Sequence, residues 1–438
     1  MYGVLCGAQS APHAQNLTLP EYPHPKHLFL DMRTIVFILF SVLASLVSAQ
    51  VHKPFLEEHK KGLHDKSLAS TKQVLKTRLE QLKTFASVSK HSSESSACST
   101  TKFVVVTEYA FGRSGNNLIE FTHGLWIAKL FNATFAPPIW MQGILQPFDT
   151  TLLNSLYCYS LTPDSLPSGA EIIDITSEDS FFLFKLFSDT EYWKDRKAIL
   201  PALNHDTVLD ISLHFLQVYA TLWSKPNKPI IRVAERLLAY HLDNTFRYTA
   251  VHKRNMEGGC AKLFQSNSVV SDFSKHELPI NSIPEWQPDW LCTMPVDFVL
   301  QTMAMHHRNG SRIFIAYDGQ GEVDSYRKHG AVFASDVFEG STASTAPTHG
   351  LDKDNTLVDL KFVDMFMAIN ADFFILNPRS TYSWEIYLIR VILGLQSVPV
   401  IENNDLYLQR VPQALIADAR PLWVSWTSVI AAYLHDSL

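Results

Sequence analysis

The chain of 438 residues lacks the short motifs that mark several large enzyme classes. The glycine-rich turn at residues 112–117 does not have the G-x-G-x-x-G spacing of a dinucleotide site, and no G-K-[S/T] of a P-loop follows it. No G-x-S-x-G or H-E-x-x-H motif occurs, and no basic tract stands out in a chain of net charge −6. These absences argue against common dinucleotide, NTPase, serine hydrolase and zinc protease sites, and against nucleic acid as a partner.

Cysteine is also scarce, with only five residues. Cys6 precedes an apolar run, and Cys98, Cys158, Cys260 and Cys292 follow it. An even number in this part fits disulfides of an oxidising compartment. Pairs Cys98–Cys158 and Cys260–Cys292 would each stay within one predicted domain, although sequence alone allows three connectivities, or four free buried thiols.

The N-terminal part of the sequence predicts that the protein enters the secretory pathway. Residues 34–49 form an uncharged apolar run that ends in a small-x-small pattern, shorter than a membrane helix needs. We interpret residues 32–49 as a signal peptide or an uncleaved signal-anchor, with a buried helix as the alternative. Residues 1–31 are then an extension that is disordered or not translated. The polar residues 50–97, with a short helix at 75–85, are interpreted as a stem, or alternatively as a folded helical cap. Two glycosylation sequons, at Asn132 and Asn309, fit the same pathway.

The most informative motif is the turn Gly112-Arg113-Ser114-Gly115-Asn116-Asn117. It follows an apolar strand pattern at 103–106 and opens an amphipathic helix pattern at 118–131. Such turns between a strand and a helix hold anions and sugars, because backbone N–H groups point outward there.

The chain is predicted to be an α/β protein with two Rossmann-like domains facing across a cleft, residues 98–245 and 246–438. Apolar strands alternate with helices, most clearly from 248 to 402, which favours a parallel, doubly wound sheet. Strands are expected near 133–137, 171–175, 248–252, 312–317, 331–334, 372–376 and 397–401. Helices are expected at 229–242, 296–307, 322–329, 357–370 and 383–393.

Ligands of such sheets bind at the carboxyl ends of the strands, which selects three loops. His252 and Arg254 close one strand, and Asp318 closes the next. A hydroxyl-rich helix start follows a third strand and contains Ser380, Thr381 and Ser383. Together these groups suit a nucleoside diphosphate: a guanidinium and helix N–H groups for phosphate, and a carboxylate for a guanine edge. Taken singly, each has an ordinary structural explanation, such as a helix cap or a turn. The only D-x-D segment, at 352–354, is interpreted as a solvated turn, so no metal site is predicted.

The motifs resemble the fucosyltransferase superfamily, that is the α1,2- and α1,6-fucosyltransferases and the protein O-fucosyltransferases. The turn at 112–117 is similar to their G-R-x-G-N-[QN] start, and Val251-His252-Lys253-Arg254 is similar to their H-x-R motif. Segments 315–318 and 374–383 resemble the remaining donor-site segments. The resemblance covers roughly residues 99–402.

This resemblance implies a GT-B-like fold, GDP-fucose as donor, inversion at the anomeric carbon and no metal or other cofactor. Arg254 would bind the β-phosphate, and His252 and Asp318 the guanosine. Ser380, Thr381 and Ser383 would hold phosphate or fucose. The turn residues Gly112, Arg113, Gly115 and Asn116 would face the donor across the cleft.

Two departures qualify the expected chemistry. The second arginine of the motif is Asn255 here, and no catalytic base is evident. Glu257 is slightly preferred over Glu108 as the base that deprotonates the acceptor hydroxyl.

The sequence therefore favours a fucosyltransferase of the endoplasmic reticulum or Golgi lumen, secreted or anchored near residues 34–49. Its expected partners are a nucleotide sugar and a glycan or glycoprotein acceptor. Two alternatives are a transferase of the same fold that uses another nucleotide sugar, and a non-catalytic secretory protein that binds glycans or proteins through a degenerate cleft.

Overall fold

The computed structural model describes most of the chain from residue 68 onward. The described residues are 68–87, 98–107, 114–160, 166–181, 183, 204–254, 277–283, 286–287, 289–317, 323–338, 349–351, 357–378, 380–400 and 429. The chain divides into the units Met1–Leu43 and Ala44–Leu438, and all described residues belong to the second.

The described residues form alternating helices and strands. The helices are α1 (Leu68–Ser87), α2 (Ser114–Leu130), α3 (Ile139–Gln142), α4 (Thr151–Leu156), α5 (Ser177–Phe181), α6 (His205–Trp223), α7 (Lys228–His241), α8 (Trp290–Thr293), α9 (Val296–Met305), α10 (Asp324–Lys328), α11 (Leu360–Asn370) and α12 (Thr381–Ile392). The strands are β1 (Lys102–Thr107), β2 (Thr134–Ala136), β3 (Glu171–Thr176), β4 (Tyr248–Lys253), β5 (Arg312–Tyr317), β6 (Val332–Phe333), β7 (His349–Leu351), β8 (Leu357–Asp359), β9 (Phe373–Ile375) and β10 (Gln396–Val398). Short 3-10 turns lie at Gly143–Leu145, Pro279–Asn281 and Ala334–Val337.

Two of the sheets in this part of the chain are parallel. The first has the order β2-β1-β3 and the second the order β10-β9-β4-β5-β6. The predicted α/β class with parallel sheets is therefore confirmed. In the second sheet the chain runs from β4 to β5 and β6 on one side, then continues with β9 and β10 on the other. The strand order thus reverses between β4 and β9, which is where open α/β sheets bind ligands.

Both faces of the second sheet are covered, as parallel sheets require. Successive side chains of a strand point to opposite faces, so Ala250 and Phe374 belong to one hydrophobic cluster and Val251 and Phe373 to another. The first cluster is shared with the first sheet and includes residues of α1, α2, α6, α7, α11 and α12. This shared core ties the second sheet to the elements that precede it in the chain.

One buried charge fixes α12. Arg390 is fully buried, and its Nη1 lies within hydrogen-bond distance of the carbonyl oxygens of Ala368, Ile369 and Ala371, at 2.6–3.0 Å. Its Nε donates to Ser397 Oγ at 2.9 Å. These carbonyls are at the C-terminal end of α11, where a helix has no donors of its own. Burial lowers the pKa of Arg390 to about 9, so the side chain stays charged at neutral pH.

Helix α1 differs from the stem predicted over residues 50–97 and agrees with the alternative, a folded helical segment. Leu82 and Phe85 are buried in the shared core. Arg78 is also buried and donates to the backbone carbonyl of Asn370. The polar composition of residues 50–97 did not predict the burial of α1, because its apolar residues lie on only one side of the helix.

Two further expectations need correction. The helix predicted over 357–370 begins only at Leu360, because residues 357–359 form β8, which pairs with β7 in an antiparallel hairpin. The helix predicted as amphipathic, α2, is instead buried throughout from Asn117 to Ala128, since helices pack on it from several sides. The sequence analysis did not predict helix α6.

The cysteine prediction is confirmed for Cys98 and Cys158, which form a disulfide. Cys292 is also disulfide-bonded, and Cys260, its predicted partner, lies outside the described residues. In the described part of the chain no helix is long and apolar enough to cross a membrane. Residues 1–49 lie outside that part, so the signal segment and the domain boundaries stay predictions.

Replacing Arg390 with Met should lower the free energy of unfolding by on the order of 3 kcal/mol or more, because several buried carbonyls lose their donors. A urea titration measures the change. Arg312→Met is the matched control: its side chain is 53% exposed and pairs with Asp243 at 3.7 Å. That control should change the free energy by less than about 0.5 kcal/mol. Equal losses in the two variants would contradict the capping role of Arg390.

Candidate functional site

The carboxyl ends of three strands meet at one edge of the second sheet. β4 pairs in parallel with β5 on one side and with β9 on the other. The residues after these strands are therefore neighbours, as expected from the sequence. Arg254 and the segment around Asn377 are described there, whereas Asp318 and Arg379 lie outside the described residues.

The loops after β4 and β9 are joined by hydrogen bonds. Nδ2 of Asn377 donates to the carbonyl oxygen of Arg254 at 3.4 Å, and the N–H of Arg254 donates to the carbonyl of Cys292 at 3.1 Å. The side chain of Arg254 is only partly buried, and its Nε has no hydrogen-bond partner among the described groups. The backbone of Arg254 is thus held at the end of β4, and its guanidinium has donor capacity left for a ligand.

His252 is buried and bound to the start of α12. Its Nδ1 lies 2.6 Å from Ser383 Oγ, which also accepts the backbone N–H of Asn377 at 3.0 Å. Burial, and secondly the charge of Arg254, lower the pKa of His252 to about 3. The imidazole is therefore neutral at physiological pH. His252 and Ser383 hold the strand end against the helix, and their predicted contacts with a donor remain predictions.

The first turn of α12 follows β9 directly at the reversal of strand order. Ser380 is the residue before the helix; its hydroxyl oxygen is buried and has no partner in the described part of the chain. The backbone N–H groups of a first turn have no partners within their own helix. A buried hydroxyl beside such N–H groups forms a donor-rich place for an anion.

The first turn of α2 lies directly against α12. Thr381 Oγ1 donates to Asn116 Oδ1 at 2.9 Å. A Cβ atom placed on Gly115 would lie 2.9 Å from Thr381 Oγ1 and 3.1 Å from the backbone nitrogen of Tyr382. Only glycine permits this approach, so the motif that precedes β2 and the helix start after β9 lie side by side. Gly112 and Arg113, the first residues of that motif, lie outside the described residues.

Asp364 is a candidate site residue that the sequence analysis did not single out. It is buried in α11, where its Oδ2 accepts the N–H of Tyr317 at 3.4 Å and its Oδ1 has no partner within the described ranges. Burial raises the pKa of this carboxyl well above its ordinary value. Tyr317 is the last residue of β5, so Asp364 lies at the same edge as Arg254. A lone carboxylate in the apolar sequence of α11 was the available signal.

Tyr382 contacts both His252 and the first turn of α11. Its ring packs on the imidazole of His252 with centroids 4.6 Å apart, and its hydroxyl donates to the carbonyl of Lys361 at 2.6 Å. Burial raises the pKa of Tyr382 well above its ordinary value, and the nearby carboxyls of Asp364 and Glu385 raise it further. The side chain of Tyr382 is therefore uncharged at physiological pH.

No group of acidic, histidine and cysteine side chains with metal-binding geometry occurs among the described residues. The expectation of a metal-independent site stays a prediction. Glu257, the preferred catalytic base, and the alternative Glu108 also lie outside the described residues.

No protein-family model matches the chain, and no curated protein matches it either. Solved structures of POFUT1, a GDP-fucose protein O-fucosyltransferase, are similar to it at 12–13% sequence identity. The structure without ligand aligns with a TM-score of 0.42 over 69% of this chain and 99% of that chain. The complex with GDP gives 0.39 over 69% and 98%, and the complex with GDP-fucose gives 0.38 over 69% and 99%.

All of these alignments have a TM-score below 0.5. At this identity and TM-score we draw nothing from them about the donor, the acceptor or the role of any residue. Those proposals rest on the residues and contacts of this chain.

Proposed function

We propose that the chain is a glycosyltransferase that binds GDP-fucose and transfers fucose, with inversion, to a hydroxyl of a glycan or protein. The observation that carries the proposal is a pair of buried donors without partners at the reversal of strand order, Arg254 Nε and Ser380 Oγ. They follow adjacent parallel strands, and buried donors of this kind require a partner. A diphosphate supplies the acceptor oxygens, and the motif resemblance supports GDP-fucose as its carrier.

The same groups would assist the transfer step. The bond between the sugar and the diphosphate breaks, so negative charge grows on the departing phosphate. A guanidinium and a helix N-terminus fixed in advance stabilise that charge without reorganising. Arg254 would therefore bind the donor and accelerate the departure of the diphosphate from the sugar.

We also propose that the donor occupies a cleft between the two α/β halves, as in a GT-B-like enzyme. The support is the contact between α2 and α12: Asn116 follows a strand of the first sheet, and Thr381 follows a strand of the second. Because Gly115 has no side chain, α2 and α12 approach each other closely there. A ligand at the start of α12 would therefore contact groups of both halves.

Arg254→Ala should weaken GDP binding about 10- to 100-fold, because hydrogen bonds to a charged group contribute about 1.5–3 kcal/mol. Calorimetric titration of the full chain with GDP, GDP-fucose and UDP-sugars measures this. Arg247→Ala is the matched control, since Arg247 is exposed and directly precedes the other end of β4. It should bind GDP like the wild type.

Three outcomes separate the alternatives. GDP affinity unchanged by Arg254→Ala would refute the site. Preference for a UDP-sugar would favour a transferase with another donor. A wild-type chain that binds none of these nucleotides would favour a non-catalytic protein that binds glycans or proteins.

Asp364 is proposed to recognise the guanine base. Its free carboxyl oxygen lies beside the end of β5, opposite Arg254 across the strand ends, and a carboxylate accepts the N1–H and 2-amino groups of guanine in pairs. Ionisation of a buried carboxyl becomes favourable when such donors arrive. Asp318, which follows β5 in sequence, is the competing candidate.

If Asp364 reads the 2-amino group, the wild type should bind GDP more tightly than inosine diphosphate, which lacks it. Asp364→Asn should weaken GDP binding about tenfold and abolish this preference. Asp318→Asn, titrated in parallel, is the comparison. Loss of the preference only in Asp318→Asn would assign the base contact to Asp318 instead.

The proposed compartment is the lumen of the secretory pathway. The Cys98–Cys158 disulfide supports it, as do the exposed asparagines of the two sequons. Asn132 directly follows α2, and Asn309 lies between α9 and β5. Both are near the amino ends of parallel strands, so glycans there would not cover the carboxyl-end site.

Chain secreted or retained by eukaryotic cells should therefore carry N-linked glycans at both asparagines. Enzymatic deglycosylation that converts a glycosylated Asn to Asp, followed by peptide mass analysis, tests each position. Absence of the conversion at both residues would contradict a lumenal location.

A further inference from the structure

Glu385 is a buried carboxyl group at the junction of α2 and α12. It is only 2% exposed and lies one turn into α12, four residues after Thr381. Its Oε1 would be 3.2 Å from a Cβ atom placed on Gly115. The side chain is therefore directed at the first turn of α2, beside the bond between Thr381 and Asn116.

Within the described part of the chain, Oε1 of Glu385 has no hydrogen-bond partner. A buried oxygen without a partner costs about 1–3 kcal/mol, so such atoms mark places where a partner is absent from the structure. Burial also raises the pKa of Glu385 well above its ordinary value. Burial thus favours the protonated form of this carboxyl, which both donates to and accepts from a hydroxyl.

The chemistry of the surroundings narrows the missing partner. The phosphate groups of the proposed donor are assigned to Arg254 and Ser380, whose N–H and O–H groups donate to phosphate oxygens. Glu385 lies further along α12, on the side that faces α2. The unpartnered Oε1 of Glu385 can accept a hydrogen bond. An ionised phosphate has no hydrogen to donate to it, whereas a hydroxyl of the group attached to that phosphate does.

We propose that Glu385 hydrogen-bonds a hydroxyl group of the sugar carried by the nucleotide donor, and so is a residue that determines which sugar is bound. The inference rests on the proposed function, because it requires a nucleotide sugar in the site. It assigns the sugar to the junction of α2 and α12, and the nucleotide to the strand ends.

Comparing GDP with GDP-fucose isolates the sugar contact, since the two ligands share the nucleotide. In the full chain, Glu385→Met should leave GDP affinity within about twofold of the wild type and weaken GDP-fucose about 10- to 100-fold. Glu385→Gln keeps an acceptor and a donor, and should retain most of the GDP-fucose affinity. Glu80→Met is the control for the change of side chain, because Glu80 is 61% exposed on α1.

Two results would overturn the assignment. Equal weakening of both ligands in Glu385→Met would show that Glu385 supports the fold of the site and does not touch the sugar. Unchanged binding of both ligands would show that it contacts neither. If the wild type binds no GDP, the proposed function fails and this inference fails with it, whereas wild-type GDP binding leaves the sugar contact to be decided by Glu385→Met.

Discussion

The position of the site depends on a buried guanidinium at the far end of α12. Arg390 binds carbonyl oxygens at the end of α11 and a side chain of β10, so the helix is tied to both elements beside it. A helix is rigid over its three turns. Fixing its last turn therefore also fixes where its first turn meets β4, β9 and α2. The groups at that first turn, including Ser380 and Thr381, gain their positions from contacts about ten residues away.

The electrostatics of the site follow from burial. Burial lowers the pKa of His252 to about 3 and raises the pKa of the Asp364 and Glu385 carboxyls well above their ordinary values. Arg254 is only partly buried and contacts Asn377, in the segment that leads into α12. Burial thus disfavours charge on three of these groups, which is compatible with the nucleotide sugar proposed as the ligand.

The sequence predicted the sheets better than it predicted the contacts between them. Alternating apolar runs marked β4, β5 and β9, and the rule for strand ends then placed His252, Arg254 and Ser380 at one edge. Gly115 was singled out as part of an anion-binding turn, but its closeness to Tyr382 joins residues more than 260 positions apart, which no local pattern encodes. Asp364 escaped notice because its importance comes from the strand end it packs beside. Helix α1 was misjudged for a related reason, since its few apolar residues matter only through the core they enter.

The packing of α1 has a practical consequence for producing the protein. Besides Arg78, Thr71 donates to the carbonyl of Asn244, and Gln81 Nε2 donates to the carbonyl of Ile392 at 2.9 Å. A recombinant protein trimmed to the first disulfide cysteine would lose these donors and uncover the apolar surface beneath Leu82 and Phe85. Expression boundaries drawn upstream of Leu68 keep this surface covered and avoid an aggregation-prone product.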